Sequence, residues 1–192
     1  MIIKLFFVYC FVKFIQLVLR LWKILTLDMT EMDKLPNKNI VVAMYGHTSW
    51  LDSCYYLYCG IFMPNNVSIL VKKKYKFLYP NYFHKFLYFI DTNTTKMIHN
   101  GNIALLIEGS RSYKNYIHSG FKYIAKNNNC EIVFGVIDFH QNKIYFTNPI
   151  GNDLSNTEYE NYLTKFVQNF QFEHISLYPN YCSKIKIRQK HK

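Results

Sequence analysis

An α/β domain with a mixed, largely parallel central sheet flanked by helices, preceded by an N-terminal amphipathic helix, is the fold the sequence predicts. Three observations predict it. Short runs rich in β-branched and aromatic residues alternate with longer stretches of helical character, the pattern of strands joined by helical crossovers. No internal repeat, low-complexity tract or Gly/Pro/Ser-rich linker divides the chain, and 192 residues suffice for one domain with a core. The first 27 residues contain no acid and are mostly apolar.

Taken in order, residues 1–33 read as that helix and a hinge, and residues 34–192 as the α/β domain with a basic C-terminal tail. At ~100° per residue, Tyr9, Lys13, Gln16, Arg20 and Lys23 share one arc of roughly 80°, while Leu, Ile, Phe, Val and Trp22 fill the remainder. A wide apolar face with a narrow basic strip suits a helix lying in a membrane interface, with Lys13, Arg20, Trp22 and Lys23 as its contacts. The same pattern also suits a helix packed on the protein's own core, or a tilted span in which Lys13 would cost ~2.5–3.5 kcal/mol. Asp28–Asp33 reads as the hinge. Beyond it the expected strands are Ile40–Met44, Val67–Val71, Ile103–Ile107, Ile132–Asp138 and Lys143–Thr147. The expected helices cover about 50–62, 75–88, 119–127 and 156–170. In parallel sheets, sites form just past the carboxyl ends of strands.

Composition limits the function classes. Lys and Arg number 23 against 12 Asp and Glu, a formal +11, so anionic partners are expected: nucleic acid, phosphorylated small molecules or an anionic membrane surface. Half the residues are hydrophobic, which excludes a disordered tail protein. No run of 18 or so uncharged apolar residues occurs, which excludes a polytopic membrane protein. Five cysteines with no Cys-x-x-Cys pair indicate neither a disulfide framework nor a zinc site. They read as reduced core thiols in a cytosol-facing protein, and no metal is expected.

Chemistry-bearing residues follow the expected strands. The first strand runs into Gly46-His47-Thr48-Ser49-Trp50-Leu51-Asp52. A histidine in the strand-to-helix turn, with a carboxylate in the next helix's first turn, can act as a general base whose tautomer the aspartate fixes. Asp52 and Asp91 are the only acids between residues 34 and 107. The second strand runs into Lys72-Lys73-Lys74, and the third into Glu108-Gly109-Ser110-Arg111-Ser112. Gly109 permits a tight turn whose amides face an anion, and Arg111 offers a planar fork for a phosphate that lysine cannot copy. Only three of the basic residues are arginine, at 20, 111 and 188. Without further context, Glu108 and Arg111 would also suit a surface salt bridge, and His47 and Asp52 a turn and a helix terminus.

The order HTSWLD, KKKYK, IEGSRS and EIVFGVIDF resembles the glycerophospholipid acyltransferases of the lysophosphatidate acyltransferase type, over about residues 40–181. That family carries a His-x4-Asp block, a lysine-containing block, a Phe-Pro-Glu-Gly-Thr-Arg-like block and a Val-Pro-Val-like strand. The run Ser110–Phe121 and the pair Tyr178-Pro179 are similar to segments of its small bacterial-type members. Ile107 and Phe134 stand where the family usually has proline. The resemblance implies an O-acyltransferase in phospholipid biosynthesis, membrane-associated and monotopic or peripheral. His47 and Asp52 would be catalytic. Glu108, Gly109, Ser110 and Arg111 would bind a lysophospholipid-type acceptor, and Lys72, Lys73 and Lys74 would hold its phosphate or the donor's. Acyl-CoA or acyl carrier protein would be co-substrate, with no cofactor.

Two rival readings remain at this level: a non-catalytic basic protein peripheral to a membrane, and a nucleic-acid-binding domain. The second is disfavoured because the aromatics lie in apolar runs such as Phe86-Leu-Tyr-Phe89 and no nucleic-acid motif occurs.

Overall fold

The structure is a computed structural model that describes residues 2–36, 39–46, 50–62, 67–79, 81–91, 102–107, 116–171, 175 and 185–188. The helices are α1 (Ile2–Leu25), α2 (Trp50–Phe62), α3 (Gly120–Asn127) and α4 (Asn156–Val167). The strands are β1 (Ile40–Tyr45), β2 (Ser68–Lys72), β3 (Leu87–Ile90), β4 (Ile103–Leu106), β5 (Ile117–His118), β6 (Glu131–Asp138), β7 (Lys143–Phe146) and β8 (Ile187–Arg188). Six of them form one sheet in the order β3-β2-β4-β1-β6-β7, parallel except for β7, which returns antiparallel to β6. The short β5 and β8 pair separately, also in parallel. The protein is thus an α/β fold with a mixed, largely parallel sheet.

Burial explains why the central strands read as continuous apolar runs. All six residues of β1 are buried, and β6 is buried from Ile132 to Asp138, as expected of strands covered on both faces. One face carries α2, through Tyr55, Tyr56 and Cys59, together with Ile24 of α1 and residues 27–35. The other carries α3, through Phe121, Ile124 and Ala125, and α4, through Tyr159 and Leu163. Those spacings of three and four residues put one stripe of each helix against the sheet. α4 opens with a capping box: the Glu158 amide donates to Ser155 Oγ (3.3 Å) and the Ser155 amide to Glu158 Oε2 (2.7 Å), supplying orphan donors with partners. Those bonds hold the Glu158 carboxyl below its ordinary pKa.

At Ile107 and Phe134 the backbone N–H is in use. Phe134 is fully buried against Phe121 and Tyr159, and its amide donates to Thr147 Oγ1 (3.0 Å). The Ile107 amide donates to the Met44 carbonyl (3.2 Å). Proline would delete either bond.

The expected helix over 75–88 does not form as such. Two 3₁₀ turns, Lys73–Leu78 and Asn81–Phe86, lead into β3, which pairs with β2. Leu87 and Phe89 face one core layer, Tyr88 and Ile90 the other. Pairing with β2 satisfies this apolar run as a strand on the sheet's edge and overrides its helical reading. The expected hinge is also docked rather than free. The Asp28 amide donates to the Asn142 carbonyl (2.9 Å), Ile144 donates back to the Asp28 carbonyl (3.1 Å), and Met32 is buried. The Asp28 carboxylate accepts from the Thr30 amide (2.9 Å) and pairs with Lys143 (3.2 Å); the first of these bonds chiefly lowers its pKa.

α1 leaves the body exposed. From residue 9 to its end only Ile24 is buried, and Phe11, Phe14, Leu17, Leu19 and Leu25 are all more than half exposed. Its C-terminal turn is held by Tyr58 donating to the Leu25 carbonyl (3.0 Å) and Asn142 donating to the Lys23 carbonyl (2.9 Å). Among the described residues, no helix is long and apolar enough to cross a membrane.

Candidate active site

Three of the motifs follow strands whose carboxyl ends lie at one edge of the sheet. β1 and β4 are neighbours, with Met44 opposite Leu106. β4 is in turn paired with β2, with Ser68 opposite Ile103. Counting along that register sets Lys72 level with Ile107. The chain therefore leaves the sheet at Gly46, Ile107 and Lys72 side by side, in the order β2-β4-β1.

β1 and β4 also differ in where the chain goes next. After β1 it enters α2 on one face; after β4 it reaches α3 on the opposite face. Two adjacent parallel strands whose connections diverge to opposite faces leave a crevice between their carboxyl ends, a topological switch point where α/β folds bind ligands.

Local features fix the rims of this crevice. Gly46 ends β1 at φ +97° and is buried, a conformation that side chains rarely adopt. A Cβ at this position would lie 2.6 Å from the carbonyl oxygen of Ile175. On the other rim, the His118 amide donates to the Ile107 carbonyl (2.7 Å), so the chain that leaves at Ile107 comes back beside it. Tyr116 and His118 stack edge to face there, and Arg188 of β8 donates to the Tyr116 hydroxyl (2.8 Å) with its guanidinium over the same ring. Arg188, read from sequence as part of a basic tail, thus buttresses the return of that loop.

His47 lies outside the described residues, one position beyond Gly46. Glu108, Gly109, Ser110 and Arg111 lie outside them too, directly after Ile107. Asp52 is the third residue of α2, so its backbone sits in the helix's first turn; a carboxylate is favourable in the first turn of a helix. Lys72, Lys73 and Lys74 are all exposed. Lys73 pairs with Asp91 beyond β3 at 3.5 Å, with both groups well exposed, an arrangement worth little by itself. Lys74 Nζ lies 4.9 Å from the centre of the Tyr75 ring. Lys13, Arg20, Trp22 and Lys23 are exposed along α1, away from the strand-end cluster in sequence, and Lys13 lies over the Tyr9 ring.

None of the described cysteines is in a disulfide; Cys59 and Cys130 are core residues as expected, but Cys10 and Cys54 are exposed, because they lie on outward faces of α1 and α2. Burial pushes the Cys59 thiol up to about 12, so it stays protonated and unreactive in the core. Among the described residues, no group of three His, Cys, Asp or Glu is placed to hold a metal ion. Sequence reasoning did not find the 3₁₀ segment after β2 or the Tyr116–Arg188 buttress. The proline at position 80 and the aromatic density of residues 75–89 were the available signals for the first; the second depends on a contact across 72 residues.

The chain matches no protein-family model, no curated protein and no solved structure.

Proposed function

We propose that the chain is a membrane-associated O-acyltransferase that moves a fatty acyl group from a thioester, acyl-CoA or acyl carrier protein, to a hydroxyl of a lysophospholipid or related glycerolipid. The supporting observation is the switch point: the His-x4-Asp motif begins at the second residue after β1, and Glu-Gly-Ser-Arg at the second residue after the adjacent β4. Neighbouring exits at a crevice can bring a base and an anion-binding turn to one substrate.

In the proposed reaction, His47 takes the proton from the acceptor hydroxyl as its oxygen attacks the thioester carbonyl carbon. The C–S bond then breaks, and the thiolate leaves with the proton that His47 returns. Asp52 orients the imidazole and stabilises its charged form. Arg111 and the turn at Gly109 hold the acceptor's phosphate, and the lysines after β2 add positive potential for either anionic substrate. The exposed apolar side chains of α1, beside its basic strip, are the membrane contact, because water leaves that much apolar surface unsatisfied.

The deciding experiment is incubation with labelled acyl-CoA and a panel of lysophospholipids, glycerol phosphate and sterols. A labelled ester with a lysophospholipid is expected; absence of transfer to every hydroxyl acceptor, from acyl-CoA and from acyl carrier protein alike, overturns the reading.

Membrane contact through α1 has its own expected result. Removing residues 2–20 should move most of the protein from the vesicle-bound to the free fraction in sedimentation and leave the melting temperature unchanged. The cut cannot run to residue 27, because Ile24 and Leu27 are buried in the core. Losing them would cost about 1.5–3 kcal/mol each. Unaltered sedimentation of the shortened chain would refute the role of α1.

A further inference from the structure

We propose that the segment after β2, Lys73–Phe86, is a second membrane-contacting element that docks on an anionic bilayer surface. Its exposure is unusual. Phe77 is 82% exposed and Tyr82 69% exposed, with Leu78 about half so. Large apolar side chains held in water on consecutive 3₁₀ turns gain by burial in another phase.

The chemistry around them selects the phase. Lys72, Lys73, Lys74, Lys76 and Lys85 are all exposed, and Asp91 is the sole acid between residues 53 and 107. Lysines are interleaved with the rings: Lys85 Nζ lies 4.6 Å from the centre of the Tyr82 ring and Lys74 4.9 Å from that of Tyr75. Aromatic side chains that enter the headgroup layer, flanked by lysines that stay with the phosphates, are the composition of an interfacial contact. A protein partner would have to bury this ammonium cluster, whereas an anionic bilayer neutralises it without dehydration.

Position supports the same occupant. The segment touches the sheet face that also carries α2 and the end of α1, with Tyr79 and Phe89 packed on that face's core. It also follows the carboxyl end of β2, beside the crevice. Docking by Phe77 and Tyr82 would therefore turn the crevice edge toward lipid while α1 holds the chain to the membrane. This contact does not depend on the acyl-transfer reading, since it rests on exposure and charge alone.

The test uses the full chain and no acyl donor, so its outcome is separate from that of the transfer assay. Vesicles of neutral phosphatidylcholine, and of the same lipid with phosphatidylglycerol, are titrated against three proteins. The variant F77A/L78A/Y82A should bind the anionic vesicles at least about tenfold more weakly than the unaltered chain. The variant K76Q/K85Q should lose about tenfold on anionic vesicles and nothing on neutral ones. All five side chains are outside the core, so unchanged melting temperatures are expected. Equal binding by all three proteins overturns the proposal. So does displacement from vesicles by free glycerol phosphate, which would make the cluster a small-phosphate site. Loss of a vesicle-independent dimer in the alanine variant would assign the patch to a second copy of the chain instead.

Discussion

Replacing His47 with alanine is expected to lower acyl transfer by about a thousandfold or more, with melting temperature and vesicle binding unchanged. A positioned general base is worth about 10²–10⁴-fold. Asp52→Asn separates orientation from helix capping. Asp52 is the third residue of α2, where a carboxylate stabilises the helix by about 0.3–1 kcal/mol through the terminal dipole alone. If it only caps, Asp52→Asn lowers the melting temperature slightly and leaves kcat intact. If it orients His47, kcat falls far more than the small change in stability explains. Full activity in His47→Ala would remove the basis of the acyltransferase reading.

The chain shows which parts of such a site are legible in a sequence. β1, α2, β4 and β6 were legible because each is long enough, or apolar enough, for its period to be read locally: α2 runs Trp50–Phe62, the range expected. A parallel sheet then guarantees that residues after strands share an edge, so the common edge of the three strand exits followed from fold class alone. The strand order did not. β4 enters between β1 and β2, which makes the strand exits that lead to the histidine and arginine motifs neighbours and sets the lysines one strand further out. Only long-range pairing decides that, Ser68 with Ile103 on one side of β4 and Val41 with Ile103 on the other, joined by the Ile40 amide's bond to Asn102 Oδ1 (2.8 Å).

Residues 73–90 failed for a different reason. Lys73–Phe86 contains six aromatics, and none of the five with described side chains is buried: Tyr75, Tyr79 and Phe86 are partly exposed, Phe77 and Tyr82 exposed, so its hydrophobicity does not report core packing. A reading that equates apolar periodicity with burial assigns a helix where the residues face out. α1 shows the same effect without the error, because its basic strip leaves a helical period intact. Both segments join the body on the face where α2 packs, α1 through Ile24 and the second through Tyr79, and both carry exposed apolar side chains.

The second large effect is expected at Gly46. Valine there should lower stability by about 2–5 kcal/mol, combining positive-φ strain with overpacking, and the melting temperature by roughly 4–20 °C. Two costs coincide. At φ +97° a β-branched residue is in a conformation that it rarely adopts, and the new Cβ would lie 2.6 Å from the backbone oxygen of buried Ile175. Backbone cannot swing aside as a side-chain tip can, so β1's end or the chain at Ile175 must shift. Gly120→Ala is the matched control. A Cβ there meets nothing within 4 Å, and its melting temperature should equal that of the unaltered chain. Because His47 is the next residue, the shift would reach the site as well. Gly46→Val measured at a temperature where it is fully folded should therefore show reduced kcat, which a purely stability-linked defect would not. A melting temperature for Gly46→Val no lower than that of Gly120→Ala would show that the strand end can relax at no cost, and would remove Gly46 as the element that sets where His47 leaves the sheet.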